Sequence, residues 1–154
     1  MSNPAMKSKL VAVTPPGVIK DAASFTTTAI DTKGYDYLRV VVLLGASDIA
    51  MTALKLQESN DDGSADAYAD ITGAVFGTST GLSGSASTLP ADDADNTFFV
   101  FLVDLRGRER YIDLVATAGD GSAGTYAAAF AELYRGEEQL LTAAGLGAAQ
   151  VLLV

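Results

Sequence analysis

The order of apolar runs and turn signals restricts this chain to a β-rich fold. Runs of β-branched and aromatic residues recur about every 10–15 residues, which is typical of short antiparallel strands. The two strongest runs, residues 35–44 and 97–105, predict central strands, and the continuously apolar residues 40–44 predict burial on both faces. Residues 60–64 (NDDGS) contain the Asp, Asn and Gly chemistry of a turn.

Alternating side-chain character predicts further strands at residues 24–30, 51–59, 68–72 and 110–117. Residues 125–134 fit a strand or a helix, because Ala and Glu favour helices, and we favour the strand. The glycine-rich residues 73–90 are predicted to form a long loop. About eight strands separated by turns predict an all-β, antiparallel β-sandwich of jelly-roll type.

We predict a single domain at residues 21–138 with an extension at each end. Residues 1–20 contain Pro4, Pro15 and Pro16, which favour an extended arm, although residues 9–13 could add a short strand. Residues 139–154 form an apolar tail. Two alternatives stay open for it: the tail packs back on the domain as a short strand or helix, or it docks on another subunit.

The residue types that are absent limit the chemistry. The chain has no Cys, His or Trp, which excludes disulfides, thiolate nucleophiles and a Ser–His–Asp triad. The acidic residues 60–66 lack the spacing of an EF-hand calcium loop, and a turn needs the same residues. We therefore predict no enzyme activity, no catalytic residues, no cofactor and no metal site.

Charge and hydropathy limit the partners. The formal net charge is −9, from 19 acidic and 10 basic residues, and such a surface repels a nucleic-acid backbone. The longest apolar runs, residues 40–44 and 98–103, are far shorter than the roughly 20 residues of a membrane-spanning helix. We therefore predict neither a nucleic-acid partner nor a membrane partner.

Three groups of residues are candidates for contact with a protein partner. The arm lysines could dock on an acidic neighbour or belong to a solvated terminus. The arginines could bind a partner's carboxylates or pair with Asp104, Glu109 and Asp113 nearby. The third group is the end of the apolar tail. The candidates are Lys7, Lys9, Lys20, Arg106, Arg108, Arg110, Val151, Leu152 and Leu153.

Three segments carry a resemblance to a known class of protein. They are residues 29–38 (AIDTKGYDYL), residues 54–59 (LKLQES) followed by residues 61–63 (DDG), and residues 110–114 (RYIDL). In this order they resemble small virion proteins of tailed phages that are encoded among head genes, over roughly residues 24–136. A common Gly-Lys-Arg-Tyr motif of that class is only partly matched by Arg108-Glu109-Arg110-Tyr111.

The resemblance implies a capsid decoration (cement) protein. Such a protein would bind the lattice of the major capsid protein on the exterior of the virion, after synthesis in the host bacterial cytoplasm. It would be a homo-oligomer, and capsid symmetry favours a trimer. A head–tail connector or tail protein is an alternative. A carbohydrate-binding β-sandwich is a further alternative, which the low aromatic content and the missing Trp disfavour.

Overall fold

The computed structural model describes residues 8–135 and 148–154, and these contain nine β-strands and no helix. The strands are β1 Ser8–Thr14, β2 Ile30–Asp31, β3 Tyr37–Ser47, β4 Ala53–Ser59, β5 Ala69–Val75, β6 Phe98–Asp104, β7 Tyr111–Thr117, β8 Thr125–Tyr134 and β9 Gln150–Leu153.

The strands form two sheets that pack face to face. Sheet A has the order β1-β8-β3-β6-β9, and sheet B has the order β2-β7-β4-β5. The first strand pairs with the eighth, the second with the seventh, the third with the sixth and the fourth with the fifth, all antiparallel. One long hairpin with its turn between β4 and β5 is therefore wrapped across both sheets. The predicted all-β sandwich is confirmed, and β9, parallel to β6, is the exception to antiparallel pairing.

The core lies between the sheets and follows from side-chain alternation. In β7, Ile112, Leu114 and Ala116 are buried and the residues between them are partly exposed. In β6, Phe99 and Phe101 face the same core. The ring of Phe76, just after β5, packs edge-on against both, with ring centroids 5.4 and 5.0 Å apart. These contacts tie the two sheets together.

The predicted strand at residues 24–30 is wrong for most of its length. Ser24 makes one isolated bridge to Thr117, and Phe25 N–H donates to the carbonyl of Ala116 in sheet B. Thr28 N–H then donates to the carbonyl of Val13 in sheet A. The segment changes sheets within four residues, so it cannot form a continuous ladder, and only β2 is a strand. The alternation of polar residues in this segment therefore does not indicate a strand. The segment lies along one side of the sandwich and forms hydrogen bonds with both sheets.

Residues 125–134 form a strand, as favoured. β8 lies between β1 and β3 in sheet A, and Ala129, Ala131 and Leu133 are buried in the core. Tertiary pairing on both sides therefore outweighs the helix propensity of the alanines. The long loop predicted at residues 73–90 starts later than predicted, because β5 continues to Val75. Ser87 anchors it by donating its hydroxyl to the carbonyl of Ser79, 2.6 Å away.

Both predicted extensions contribute a strand to sheet A. Within the predicted arm, Ser8–Thr14 forms the edge strand β1. Within the predicted tail, β9 pairs with β6 at the opposite edge, so this part of the tail packs back on the domain. Residues 1–7, with Lys7, and residues 136–147 lie outside the described part of the chain.

Candidate interaction surfaces

The three segments that carry the resemblance meet at one end of the sandwich. Arg110, at the start of the third segment, forms an ion pair with Asp31 of the first, with Nε–Oδ1 and Nη2–Oδ2 distances of 2.8 and 2.7 Å. Arg108 contacts Glu58 of the second segment, with 3.4 Å between Nη1 and Oε1. These two ion pairs therefore help to join the ends of β2, β4 and β7.

This end of the sandwich collects most of the tyrosines and arginines of the chain. The rings of Tyr37 and Tyr134 stack with centroids 5.7 Å apart. The guanidinium of Arg106 lies 5.5 Å from the centroid of Tyr37, and that of Arg110 lies 4.9 Å from the centroid of Tyr111. We call this surface the tyrosine–arginine end. It consists of five of the six tyrosines and four of the five arginines of the chain, namely Tyr35, Tyr37, Tyr68, Tyr111, Tyr134, Arg106, Arg108, Arg110 and Arg135.

Each of the three candidate arginines forms an ion pair, and its side chain remains partly exposed to solvent. Arg106 forms an ion pair with Asp104, with 2.8 Å between Nε and Oδ1. Pairing with this nearby acid was one of the two alternatives for the arginines. Arg108 and Arg110 instead pair with carboxylates distant in sequence. The side chains of Arg106, Arg108 and Arg110 are 67%, 24% and 43% exposed. The guanidinium of Arg106 in particular remains accessible to a partner.

Ion pairing and crowding change the acidity of carboxyl groups here. Hydrogen bonds from Arg110 lower the pKa of Asp31 to about 2, and those from Arg106 lower the pKa of Asp104 to about 2. Desolvation, with the nearby carboxylates of Asp66 and Glu58, raises the pKa of Glu109. The end thus contains fixed charges of both signs.

The acidic residues 60–66 build a turn. Asp61 accepts hydrogen bonds from the N–H groups of Ala65 and Asp66, at 2.7 and 3.0 Å, which lowers its pKa. The buried hydroxyl of Ser59 donates to the carbonyl of Asp66, 2.7 Å away. Across residues 8–135 and 148–154, no group of three or more acidic side chains is placed to hold a metal ion.

A second surface, on the outer face of sheet A, was not identified from the sequence. Paired residues of neighbouring strands face the same side, so Ala12 lies beside Phe130. Leu43 lies between Ala128 on one side and Phe98 on the other. Leu10, Leu43, Phe98, Tyr126 and Phe130 are 36–70% exposed. We call these residues the apolar patch: Leu10, Ala12, Leu43, Phe98, Tyr126, Ala128 and Phe130.

The apolar patch has no charged member. The nearest charges on the same face, Arg39 and Glu132, pair with each other. Beside the patch, a groove of about 380 Å³ runs between Pro16-Gly17 and the side chains of Leu43 and Tyr126. The spacing of Tyr126 and Phe130 was the one available signal, but it does not show that this part of the face stays exposed. On the same face, Val41, Val100, Leu102 and Val151 are buried, with Leu82 and Ala148 packed against them.

The remaining candidate residues are not brought together. Lys9 is exposed on β1, whereas the backbone of Lys20 pairs with Thr125. At the opposite edge of sheet A, Val151 and Leu152 are 2% and 0% exposed, and Leu153 is 54% exposed. Val151 and Leu152 therefore stabilise the domain itself, and only Leu153 of this group is accessible.

Comparison with known proteins gives no relative. No family model matches the chain, and no curated protein or solved structure matches it significantly. Among the described residues, no helix is long and apolar enough to cross a membrane.

Proposed function

We propose that this protein is a structural virion component that binds the outer surface of a phage capsid and stabilises the lattice of the major capsid protein. The observation that carries the proposal is the tyrosine–arginine end. Tyr and Arg are enriched at the centres of protein interfaces, because rigid rings and planar guanidinium groups give large contacts at low entropic cost. Their concentration at one end of a rigid sandwich supports a protein-binding surface.

The strand pairing supports a virion protein. A hairpin wrapped across two sheets, with the first strand beside the eighth and the second beside the seventh, supports the predicted jelly-roll type. Jelly rolls occur in viral capsid domains and in lectins. The segments that resemble phage head proteins meet at the tyrosine–arginine end, so the resemblance and the candidate surface coincide.

The charge supports a place on the capsid exterior. A chain with a net charge of −9 is repelled by packaged DNA. The accessible guanidinium of Arg106, whose side chain is 67% exposed, is the group at the tyrosine–arginine end best placed to meet a carboxylate of the lattice.

Co-sedimentation with purified capsids that lack the protein tests the proposal. We expect saturable binding of the natural chain, and binding at least about tenfold weaker for Arg106→Glu. Lys55→Glu, in β4 of sheet B, is the matched control, because it makes the same charge change and also breaks one ion pair, with Asp70, away from the tyrosine–arginine end. Thermal melts verify that both variants fold, since loss of an exposed ion pair costs no more than about 1 kcal/mol.

The outcomes separate the alternatives. Equal binding by both variants, or equal loss, would remove the tyrosine–arginine end from the interface. Binding to isolated connector rings or tail tubes, with none to capsids, would replace the decoration role with a connector or tail role. Binding to none of these assemblies would overturn the proposal of a virion component.

A further inference from the structure

We propose that the carboxyl groups of Glu109 and Asp66 share one proton in mildly acidic solution, and that this proton connects two turns at the tyrosine–arginine end. One turn joins β4 to β5 and contains Asp66, and the other joins β6 to β7 and contains Glu109. The second turn also contains Arg106 and Arg108, so the proton affects how firmly these arginines are held. The inference goes beyond capsid binding, because it concerns the isolated chain and needs no partner.

One side-chain amide brings the two carboxyl groups together. Nδ2 of Asn60 donates to Oδ2 of Asp66 at 3.1 Å and to Oε1 of Glu109 at 3.0 Å. These two oxygens are therefore no more than about 6 Å apart, a distance at which like charges favour the neutral form of one group. The backbone N–H of Asn60 also donates to Oδ2 of Asp66, at 2.8 Å. Because Asp66 receives two hydrogen bonds from Asn60 and Glu109 receives one, Glu109 is the member that takes up the proton.

The charged groups around Glu109 favour its neutral form. Glu58, at the end of β4, accepts a hydrogen bond from the backbone N–H of Glu109, with 3.1 Å between N and Oε2. The neighbouring Arg108 contacts Glu58, and Arg110 forms its ion pair with β2. Within residues 8–135 and 148–154, no cation forms an ion pair with Glu109 itself, so a proton is what neutralises its carboxylate.

Burial and charge act on Glu109 in the same direction. Desolvation, followed by the charges of Asp66 and Glu58, raises the pKa of Glu109 above its usual 4.5. The other carboxylates of the first turn, Asp61 and Asp62, accept hydrogen bonds of their own. The shared proton therefore stabilises the fold fully below about pH 4.5, and this contribution is lost as the pH rises through the raised pKa of Glu109.

An NMR titration of the isolated chain from about pH 3 to pH 8 tests the inference. We expect the side-chain carboxyl carbon of Glu109 to titrate with a midpoint above 4.5. The side-chain amide signals of Asn60 should change with the same midpoint, because this amide donates to Glu109. A midpoint of Glu109 at or below 4.5, or Asn60 amide signals that do not follow it, would overturn the inference.

Asp66→Asn separates the shared proton from burial alone. Asparagine keeps an oxygen that can accept the N–H groups of Asn60, but it carries no charge. The midpoint of Glu109 should therefore fall by about 0.5 pH unit or more in this variant. An unchanged midpoint would show that desolvation alone raises the pKa of Glu109, and the shared proton would be wrong.

Glu109→Gln imitates the protonated side chain and tests the effect on the fold. Asp93→Asn is the control, because it removes one negative charge from an exposed loop and so measures relief of the net charge alone. In thermal melts at about pH 7.5, Glu109→Gln should raise the Tm more than Asp93→Asn does, and near pH 4 it should leave the Tm nearly unchanged. Equal gains by the two variants at pH 7.5, or a lower Tm of Glu109→Gln at both pH values, would contradict the inference.

Discussion

Arg110 holds Asp31 by two parallel hydrogen bonds of 2.8 and 2.7 Å, and this pair attaches the two-residue strand β2 to β7. Thr32 supports the same junction, because its hydroxyl donates to the carbonyl of Arg110, 2.7 Å away. A strand of two residues has few ladder hydrogen bonds, so side chains must fix its position. The first and third resemblance segments therefore meet through chemistry that serves the fold.

The lowered pKa values predict acid sensitivity. The pKa of Asp31 falls from 3.8 to about 2 on folding, and that of Asp104 does the same. The unfolded chain then binds more protons in this range, so the stabilisation is complete above about pH 4 and is lost as the pH falls through 2. We expect the free energy of unfolding, measured by urea titration, to decrease across this window.

Asp31→Asn isolates one of these contributions. It should lower the free energy of unfolding at pH 6 by no more than about 1 kcal/mol, because the pair is partly exposed to water. The difference from the natural chain should shrink towards pH 2, where Asp31 itself becomes protonated. A difference that stayed constant from pH 6 to pH 2 would contradict the assignment of the shift to this pair.

Two phenylalanines of β6 provide a matched test of the core. Phe101 is fully buried against Phe76, whereas Phe98, on the opposite face of the same strand, is 36% exposed. Phe101→Ala should lower the free energy of unfolding by about 3–5 kcal/mol, because it leaves a cavity between the sheets. Phe98→Ala should cost about 1 kcal/mol or less. Similar costs in urea titrations would show that the sheet faces are assigned incorrectly.

The sequence predicts the sheets better than the surfaces. The alternation in residues 110–117 and the apolar runs at 35–44 and 97–105 depend on local chemistry, and each is found as a strand. The segment at 24–30 failed because its hydrogen-bond partners, Val13 and Ala116, lie in different sheets. Local pattern contains no information about such a change of sheet.

The candidate surfaces depend on which strands become neighbours. One alternative for the candidate arginines was pairing with the acids nearby in sequence, but folding places Glu58 next to Arg108 and Asp31 next to Arg110. The apolar patch also requires long-range pairing, because it joins residues of four strands. Spacing along the chain shows that Tyr126 and Phe130 share a face. It does not show that they stay exposed while Val41, paired with Phe130 on the same face, is buried.

The last strand provides a test of whether the tail belongs to the domain. Leu152 of β9 is fully buried in the core, and its neighbour Leu153 is 54% exposed. Leu152→Ala should lower the free energy of unfolding by about 2–5 kcal/mol, and Leu153→Ala by less than about 1 kcal/mol. Equal, small effects in urea titrations would show that β9 is not docked in solution.

Asp48 organises the loop between β7 and β8. Its carboxylate accepts hydrogen bonds from the N–H groups of Ser122 and Ala123, both at 2.6 Å, and of Gly124 at 2.9 Å. These bonds lower the pKa of Asp48, because they favour the charged form. Asp48→Ala should therefore accelerate hydrogen exchange of the three amides. Asp120→Ala, in the same loop, is the control and should leave them protected.

Gly121 provides an independent test of the same contact. A Cβ atom at this position would overlap the carboxylate of Asp48. Gly121→Ala should therefore lower the free energy of unfolding by about 1–3 kcal/mol in the natural chain, as overpacking does. In the Asp48→Ala background the obstructing group is gone, so the same substitution should cost much less. Strictly additive effects in this double-mutant cycle would show that Asp48 does not occupy the space beside Gly121 in solution.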